Sequence, residues 1–156
     1  PEDAPQVRAA LARYRAAAAS RDRSWTCFFL ARTLGKLGDR EAIGLLRASL
    51  DEDPTEASFG IPDPPNVFLH NAMTPCYRAA AADALGRIGA KEAASSLLAA
   101  VADFENAMEV RQAAADALRR IADPATLPQL QKLAADYPEI ATGRTLREAC
   151  AAIESK

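Results

Sequence analysis

The side chains able to do chemistry in this chain are few, and they centre on one histidine. His70 is the only histidine among 156 residues, and Asn71 follows it. In principle His70, Asp63 and the acidic residues 51–53 offer ligands for a cation, but their spacing fits no standard motif. Ser-His-Asp or Cys-His catalysis would depend on the same His70, and no nucleophile motif accompanies it. We therefore favour a hydrogen-bonded structural histidine and predict no catalytic residue, no metal site and no cofactor.

Neither the cysteines nor the glycines form a reactive or phosphate-binding motif. Cys27, Cys76 and Cys150 each fall in a helical run without Cys-x-x-Cys spacing, so we interpret them as small core side chains. A reactive or metal-bound thiol is the alternative. Four glycines follow neither the GxGxxG nor the GxxxxGK[ST] pattern, and we interpret them as helix-end glycines. They are Gly35, Gly38, Gly86 and Gly89.

The elements that would position any site come from a repeated alanine-rich helical pattern. Larger residues recur in it at intervals of 51, 33 and 32 positions, at Leu34, Leu85, Leu118 and Cys150. A period near 32 residues is typical of a helix-turn-helix unit in a solenoid. Small residues stand one place before each of these positions, which indicates close helix packing around aliphatic core side chains. The longer first interval indicates an insert.

The residues around the third copy resemble a known repeat. Residues 109–118 read EVRQAAADAL and residues 123–128 read DPATLP, which resembles a HEAT repeat and, more narrowly, the HEAT-like repeats of the phycobilisome-lyase type. Residues 40–46 and 91–98 resemble the second helices of such units. The resemblance covers roughly residues 22–156 apart from the insert. It implies an all-α, right-handed α-α superhelix of about three and a half units, with a Pro-rich insert between units one and two.

For function the resemblance implies a binding scaffold, because such repeats serve many unrelated proteins. Deoxyhypusine hydroxylases of this fold bind iron through His-Glu pairs, and this chain contains no His-Glu dipeptide. No residue here corresponds to a chromophore ligand of the bilin lyases. HEAT-like DNA glycosylases use a basic concave face with aromatic residues, whereas this chain has a net charge of −2 and no continuous basic stripe.

We predict one HEAT-like domain over residues 1–156. Its first helix, residues 4–20 with Asp3 as N-cap, is either the second helix of an earlier unit or an N-terminal cap. The remaining segments are unit one at 22–51, an acidic Pro-rich insert at 52–75, unit two at 76–105, unit three at 107–138 and a C-terminal half unit at 139–156.

The insert concentrates the acidity of the chain. Residues 51–75 hold five acidic residues and no Lys or Arg, together with prolines that exclude a long helix. Its apolar residues, including Phe59 and Phe68, are more numerous than a solvated linker carries. We expect it to fold back onto the solenoid, with a short helical turn near residues 66–71. It either covers the bulky Trp25 and Phe29 or provides a partner contact.

The second helices are expected to form a long concave face of mixed, weakly charged character. This face suits a protein or peptide partner, or another domain of the same chain. We therefore predict a non-enzymatic protein-protein interaction scaffold, part of a larger protein or assembly. The alternatives are an accessory domain of an enzyme whose catalytic domain lies upstream, and a nucleic-acid-binding domain. The hypothetical partner-binding residues are Arg40, Arg47, Leu98, Gln131, Phe59, Phe68 and His70.

Composition adds little about location. No run of 18 apolar residues predicts a membrane span. The unpaired cysteines favour a cytoplasmic location. Because the sequence begins at Pro1 rather than Met, we expect that part of the native polypeptide precedes it.

Overall fold

The structure is a computed structural model, and it describes residues 2–17, 21–52 and 76–155. Within these ranges it contains eight α-helices and no β-strand. The helices are α1 (Ala4–Arg15), α2 (Arg21–Leu37), α3 (Ile43–Leu50), α4 (Tyr77–Ile88), α5 (Ala94–Ala102), α6 (Met108–Ile121), α7 (Leu127–Asp136) and α8 (Ile140–Glu154). Short 3-10 turns lead into α3, α5 and α7, at Arg40–Ala42, Lys91–Ala93 and Pro124–Thr126.

The helices pack in two layers. Helices α2, α4, α6 and α8 lie side by side in a first layer. Helices α1, α3, α5 and α7 form the second layer, and each packs against the first-layer helix that follows it in the chain. Unit one therefore comprises α2 and α3, unit two α4 and α5, and unit three α6 and α7. The predicted all-α helical repeat is confirmed, and α1 lies where a second helix lies.

The core follows the register that the sequence predicts. Leu34, Leu85, Leu118 and Cys150 are all buried, and so are the alanines that precede the last three. Thr33, which precedes Leu34, is instead exposed. Cys27 is also buried, as expected of a small core side chain, and Cys76 is half-buried.

Two glycines set the distance between neighbouring first-layer helices. A Cβ atom built on Gly35 would lie 2.7 Å from the Cα of Ala84, and one on Gly86 would lie 2.7 Å from the Cα of Ala117. The interpretation of Gly35 and Gly86 as helix-end residues is therefore wrong, because their role is to admit the backbone of the next helix.

The other two glycines do end helices, as predicted. Gly38 and Gly89 follow α2 and α4 with φ of 66° and 70°, in the left-handed region that glycine adopts at low cost. At the same position of unit three, Ala122 takes a φ of 44°. Unit three thus keeps the left-handed end of the helix without the residue that favours it.

Buried arginines hold the ends of the second-layer helices. Arg78 Nε donates to the carbonyl oxygen of Leu50 at 2.8 Å, and Arg111 Nη1 donates to that of Phe104 at 3.0 Å. These carbonyls lie at or just beyond the C-terminal ends of α3 and α5, where the helix leaves acceptors unsatisfied. Each arginine therefore links the first helix of one unit to the second helix of the unit before it.

Helix α1 ends earlier than predicted. It stops at Arg15 rather than at residue 20, and Ala16 and Ala17 are no longer helical. Arg23 donates to the carbonyl oxygens of Tyr14 and Arg15, at 3.1 and 2.9 Å, and so takes up the acceptors that a longer helix would use.

Most of the predicted insert lies outside the described residues. Of residues 52–75 the structure describes only Glu52, so the expected helical turn near residues 66–71 and the covering of Trp25 and Phe29 are not tested. Among the helices that are described, none has the length and apolar content needed to cross a membrane.

Candidate partner-binding surface

We call the outward surface of α3, α5 and α7 the second-helix face. One repeated position on this face holds a different kind of side chain in each of the three units. Arg47, Leu98 and Gln131 stand at this position in the three units, 51 and 33 residues apart. Two grooves run between these helices. The first groove lies between α3 and α5, and the second groove between α5 and α7.

Polar side chains bridge the first groove. Arg40 Nη2 pairs with Glu92 Oε1 at 2.9 Å. Arg47 Nε donates to Ser96 Oγ at 3.4 Å, and Ser96 Oγ donates to Asp51 Oδ2 at 3.3 Å. Arg47 on α3, and Arg40 and Asp51 on either side of it, are therefore engaged by neighbours within the fold.

The second groove is open and mostly apolar. It encloses a hollow of about 480 Å³. Six of its eight lining residues are aliphatic or aromatic, and two polar ones stand on the α7 side. The lining residues are Leu98, Ala99, Ala102, Phe104, Gln129, Lys132, Leu133 and Tyr137. A hollow of this size accommodates one or two apolar side chains of a partner.

An aromatic pair forms one wall of the second groove. The rings of Phe104 and Tyr137 lie 5.3 Å apart between centroids, and Phe104 is 53% exposed. Tyr137 Oη donates to the carbonyl oxygen of Val101 at 2.8 Å, and the Arg111 guanidinium lies 5.5 Å from the Phe104 ring centroid. Burial raises the pKa of the Tyr137 phenol, so this donor stays protonated at neutral pH. Both rings of the wall are thus held by contacts within the fold.

Comparison with known families explains the two-layered arrangement. Residues 68–151, more than half of the chain, match the family of HEAT repeats. The chain belongs to the HEAT-repeat family. Residues 29–52 in addition match the PBS lyase HEAT-like repeat, so both sides of the insert carry the same kind of unit. No curated protein is significantly similar to the chain in sequence.

HEAT repeats generally act as scaffolds for protein-protein interaction, and the second-helix face is where this chain offers recognisable grooves. The structure brings only part of the predicted residue set together on it. Arg40 and Arg47 lie at the first groove, and Leu98 lines the second. Gln131 lines a separate hollow of about 280 Å³ beside α8, where its Nε2 donates to Glu154 Oε1 at 3.0 Å.

Three predicted site residues lie outside the described residues, and the predicted set lacks seven of the eight residues that line the second groove. Phe59, Phe68 and His70 belong to the first group. Phe104, Lys132 and Tyr137 belong to the second. Phe104 and Tyr137 stand 33 positions apart, at the same place of two successive HEAT units. That repeated aromatic position was the signal by which the sequence could have identified the wall.

A buried charged cluster lies where the chain leaves unit one. Glu52 pairs with Arg23 and, at 3.4 Å, with Arg15. Burial opposes ionisation of Glu52, but the hydrogen bond from Arg23 and the positive charges of Arg23 and Arg15 outweigh it and hold the pKa of this carboxyl below its usual range. Glu52 is therefore an ionised partner of the arginines at neutral pH.

The neighbours of this pair are not activated for chemistry. Burial raises the pKa of the Cys27 thiol, and burial together with the adjacent Glu52 raises the pKa of the Tyr77 phenol. A raised thiol pKa leaves less of the nucleophilic thiolate. In the described part of the chain no group of three or more His, Cys, Asp or Glu side chains is arranged to hold a metal ion. We interpret the cluster as a structural ion pair.

Proposed function

We propose that this HEAT-repeat chain is a non-enzymatic interaction scaffold that binds a protein partner in the second groove. The observation that carries the proposal is the contrast between an open apolar hollow of about 480 Å³ and a polar first groove already bridged from within. A preformed apolar hollow with few polar groups is the usual form of a recognition site.

The lining residues indicate the chemistry of the partner segment. Leu98, Leu133 and the Phe104–Tyr137 wall favour an aliphatic or aromatic anchor side chain. Lys132 stands at the same groove and forms no ion pair with any residue that the structure describes. We therefore expect an acidic residue next to the anchor, so that the partner is a peptide segment with an apolar side chain and a neighbouring carboxylate.

The test uses a phage-displayed library of random 12-residue peptides, selected on the intact chain. Enriched peptides should share an apolar anchor beside an Asp or Glu, and their affinities are then measured by calorimetry. Ala99→Arg fills the second groove and should weaken binding by about tenfold or more, because one lost apolar anchor is worth that much. Lys132→Glu should weaken it by about twofold to fivefold, the effect of one exposed ion pair.

Ala48 supplies the matched control, because it holds the same register position on α3 and is likewise exposed. Ala48→Arg should leave the affinity within about twofold. Equal losses for Ala48→Arg and Ala99→Arg would place the binding elsewhere and contradict the proposal. A labelled DNA duplex is tested in parallel. Binding that tightens steeply as salt is lowered would favour a nucleic-acid-binding domain instead.

A further inference from the structure

Helices α7 and α8 form a packed pair with little direct contact to the rest of the second layer. Because each second-layer helix packs on the first-layer helix that follows it, α3 with α4, α5 with α6 and α7 with α8 make three successive pairs. Helix α7 makes few contacts with α5 or α6. The α7–α8 pair is therefore attached mainly through the contact of α8 with α6 and through the residues beside the second groove.

The contact between α6 and α8 lacks the glycine that brings the other first-layer helices together. Arg119 stands in α6 at the register position of Gly35 in α2 and Gly86 in α4. A Cβ atom at that position would meet the backbone of the next helix at 2.7 Å in both of the earlier contacts. Since Arg119 has a Cβ atom, α8 cannot approach α6 at this point as closely as α4 approaches α2.

The Arg119 side chain does not fasten the two helices to each other. Its Nε atom lies 3.9 Å from Glu148 Oε2 on α8, beyond hydrogen-bond distance, and its Nη2 donates at 3.4 Å to Asp116 Oδ1 on its own helix. Nε is buried and has no hydrogen-bond acceptor in the described part of the chain. A buried donor without an acceptor destabilises the closed arrangement, so a movement that admits water at this point is favoured.

Polar bonds hold the opposite end of the α6–α8 contact. Gln112, near the start of α6, bonds two threonines of α8: its Nε2 donates to Thr145 Oγ1, and its Oε1 accepts from Thr142 Oγ1, both at 3.0 Å. Arg111 pairs with Glu139, the residue just before α8. The contact is therefore secured where the two helices begin and is loose towards the end of α6.

The aromatic wall of the second groove lies at this secured end. Arg111 also donates to the carbonyl oxygen of Phe104, and Tyr137 Oη donates across the groove to that of Val101. At the opposite end, between α5 and the first turn of α7, no hydrogen bond or ion pair joins the two helices within residues 94–102 and 127–131. The groove is thus secured and loose at the same ends as the α6–α8 contact beneath it.

We propose that the α7–α8 pair turns as one body about the secured end, so that the second groove widens and narrows at its opposite end. The pair pivots on the bonds of Gln112 and on the Phe104–Tyr137 wall, and it is free where Arg119 keeps α8 away from α6. Adjustment of the groove to partner side chains of different size rests on the proposed function, whereas the movement itself does not. The contacts that permit it all lie between α5 and α8.

Spin labels across the two grooves test the movement. Gly44 in α3, Ser95 in α5 and Pro128 in α7 hold the same register position, and all three are exposed. In a chain whose three cysteines are replaced by alanine, labels are attached to Gly44→Cys with Ser95→Cys and, separately, to Ser95→Cys with Pro128→Cys. Pulsed EPR measures the distribution of distances between the labels. The distribution across the second groove should be wider than the matched distribution across the first.

Restoring the glycine tests the cause. Arg119→Gly should narrow the distribution across the second groove towards that across the first, because α8 can then close onto α6 at Ala149. Arg120→Gly is the matched control. It has the same cost in helix propensity, but Arg120 pairs with Asp83 on α4, so the second-groove distribution should stay wide. Circular dichroism checks that both variants remain folded.

A peptide selected on the second groove tests the use of the movement. Its binding should narrow the distribution across the second groove and leave that across the first groove unchanged. If no peptide is selected, the proposed function fails, but the widths in the unliganded chain and the effect of Arg119→Gly still decide whether the pair moves.

Three outcomes would overturn the proposal. The first is equal widths across the two grooves in the labelled chain without further substitutions. The second is a second-groove distribution that stays wide in Arg119→Gly. The third is a wide distribution that arises from unfolding of α7, which hydrogen exchange followed by mass spectrometry would show as lost protection of its amides while those of α5 stay protected, because a pair that turns as one body keeps its helices intact.

Discussion

Two junctions of the stack can be compared: the first joins units one and two, and the second joins units two and three. Their contacts in the first layer of helices are alike, whereas their contacts in the second layer differ. In the first layer both place a glycine of one helix on an alanine of the next at the same notional distance of 2.7 Å. In the second layer the first junction is bridged by Arg40–Glu92 and by Arg47–Ser96, whereas the second encloses an apolar hollow.

This difference shows which residues of a repeat are free to acquire a function. The first-layer contact excludes any side chain larger than hydrogen at Gly35 and Gly86, because backbone atoms face those positions. The second-layer positions face neighbours across an open groove, and Arg47 and Leu98 both fit there. We therefore expect stability to depend on the shared half of each junction and, under the proposed function, recognition to depend on the half that varies.

The largest effect is expected at the core positions that the two units have in common. Leu85→Ala and Leu118→Ala each remove a buried side chain and should cost roughly 2–5 kcal/mol of the free energy of unfolding. Because the two positions are equivalent, the two losses should agree within about 1 kcal/mol. Urea unfolding followed by circular dichroism measures both. An unchanged midpoint for either variant would refute the repeat register.

A smaller effect is expected at the charged cluster of Glu52, Arg23 and Arg15, where the chain leaves unit one. Glu52→Gln removes the carboxylate charge beside the buried Arg23 and should cost about 2–3 kcal/mol of the free energy of unfolding at pH 7. The cost is smaller than for a fully enclosed ion pair, because the Glu52 side chain is 10% exposed. Glu139→Gln, at the start of α8, is the control. Glu139 also pairs with a buried arginine, Arg111, but is 27% exposed, so we expect a smaller loss.

The effect of Glu52→Gln should depend on pH. The folded-state pKa of Glu52 lies below its usual range, so its contribution is complete above the unfolded-state pKa of about 4.3 and is lost as pH falls through the folded-state pKa. The difference between the original chain and Glu52→Gln should therefore be largest at pH 7 and shrink at pH 3. A difference that stays constant over this range would show that Glu52 is not held as an ion pair.

The same comparison shows which parts of the fold and of the second groove can be predicted from the sequence. Leu85, Leu118 and Cys150 recur at intervals of 33 and 32 residues, and this period predicted the core positions, whereas the resemblance to HEAT-like repeats implied the all-α superhelix. The role of Gly35 and Gly86 was missed because each lies near the end of a helix, where a glycine usually terminates it.

The second groove was missed for a different reason. Its wall pairs Phe104, just beyond the end of α5, with Tyr137, just beyond the end of α7. Periodicity places residues on the face of one helix, but it does not determine which residues of neighbouring helices meet. Leu98 was identified because it shares a register position with Arg47. The spacing of Phe104 and Tyr137 marks a repeated aromatic position in the sequence, but only the packed structure shows that these rings meet beside Leu98.

The smallest expected effect tests the shared half of the two junctions directly. Gly35→Ala and Gly86→Ala each add one methyl group that meets the Cα of an alanine in the next helix, and backbone cannot move aside as a flexible side chain can. Overpacking of this kind costs roughly 1–3 kcal/mol, and the higher helix propensity of alanine returns up to about 1 kcal/mol. We expect a net loss of about 1–2 kcal/mol at each position, measured by urea unfolding.

Gly44→Ala in α3 is the matched control, because nothing lies within 4 Å of its added Cβ, and there the propensity gain alone should raise stability by up to about 1 kcal/mol. If Gly35→Ala and Gly86→Ala instead raised stability as Gly44→Ala does, the first-layer helices would be free to separate. Close packing could then no longer explain why the first-layer contact is the same at both junctions while the second-layer grooves differ.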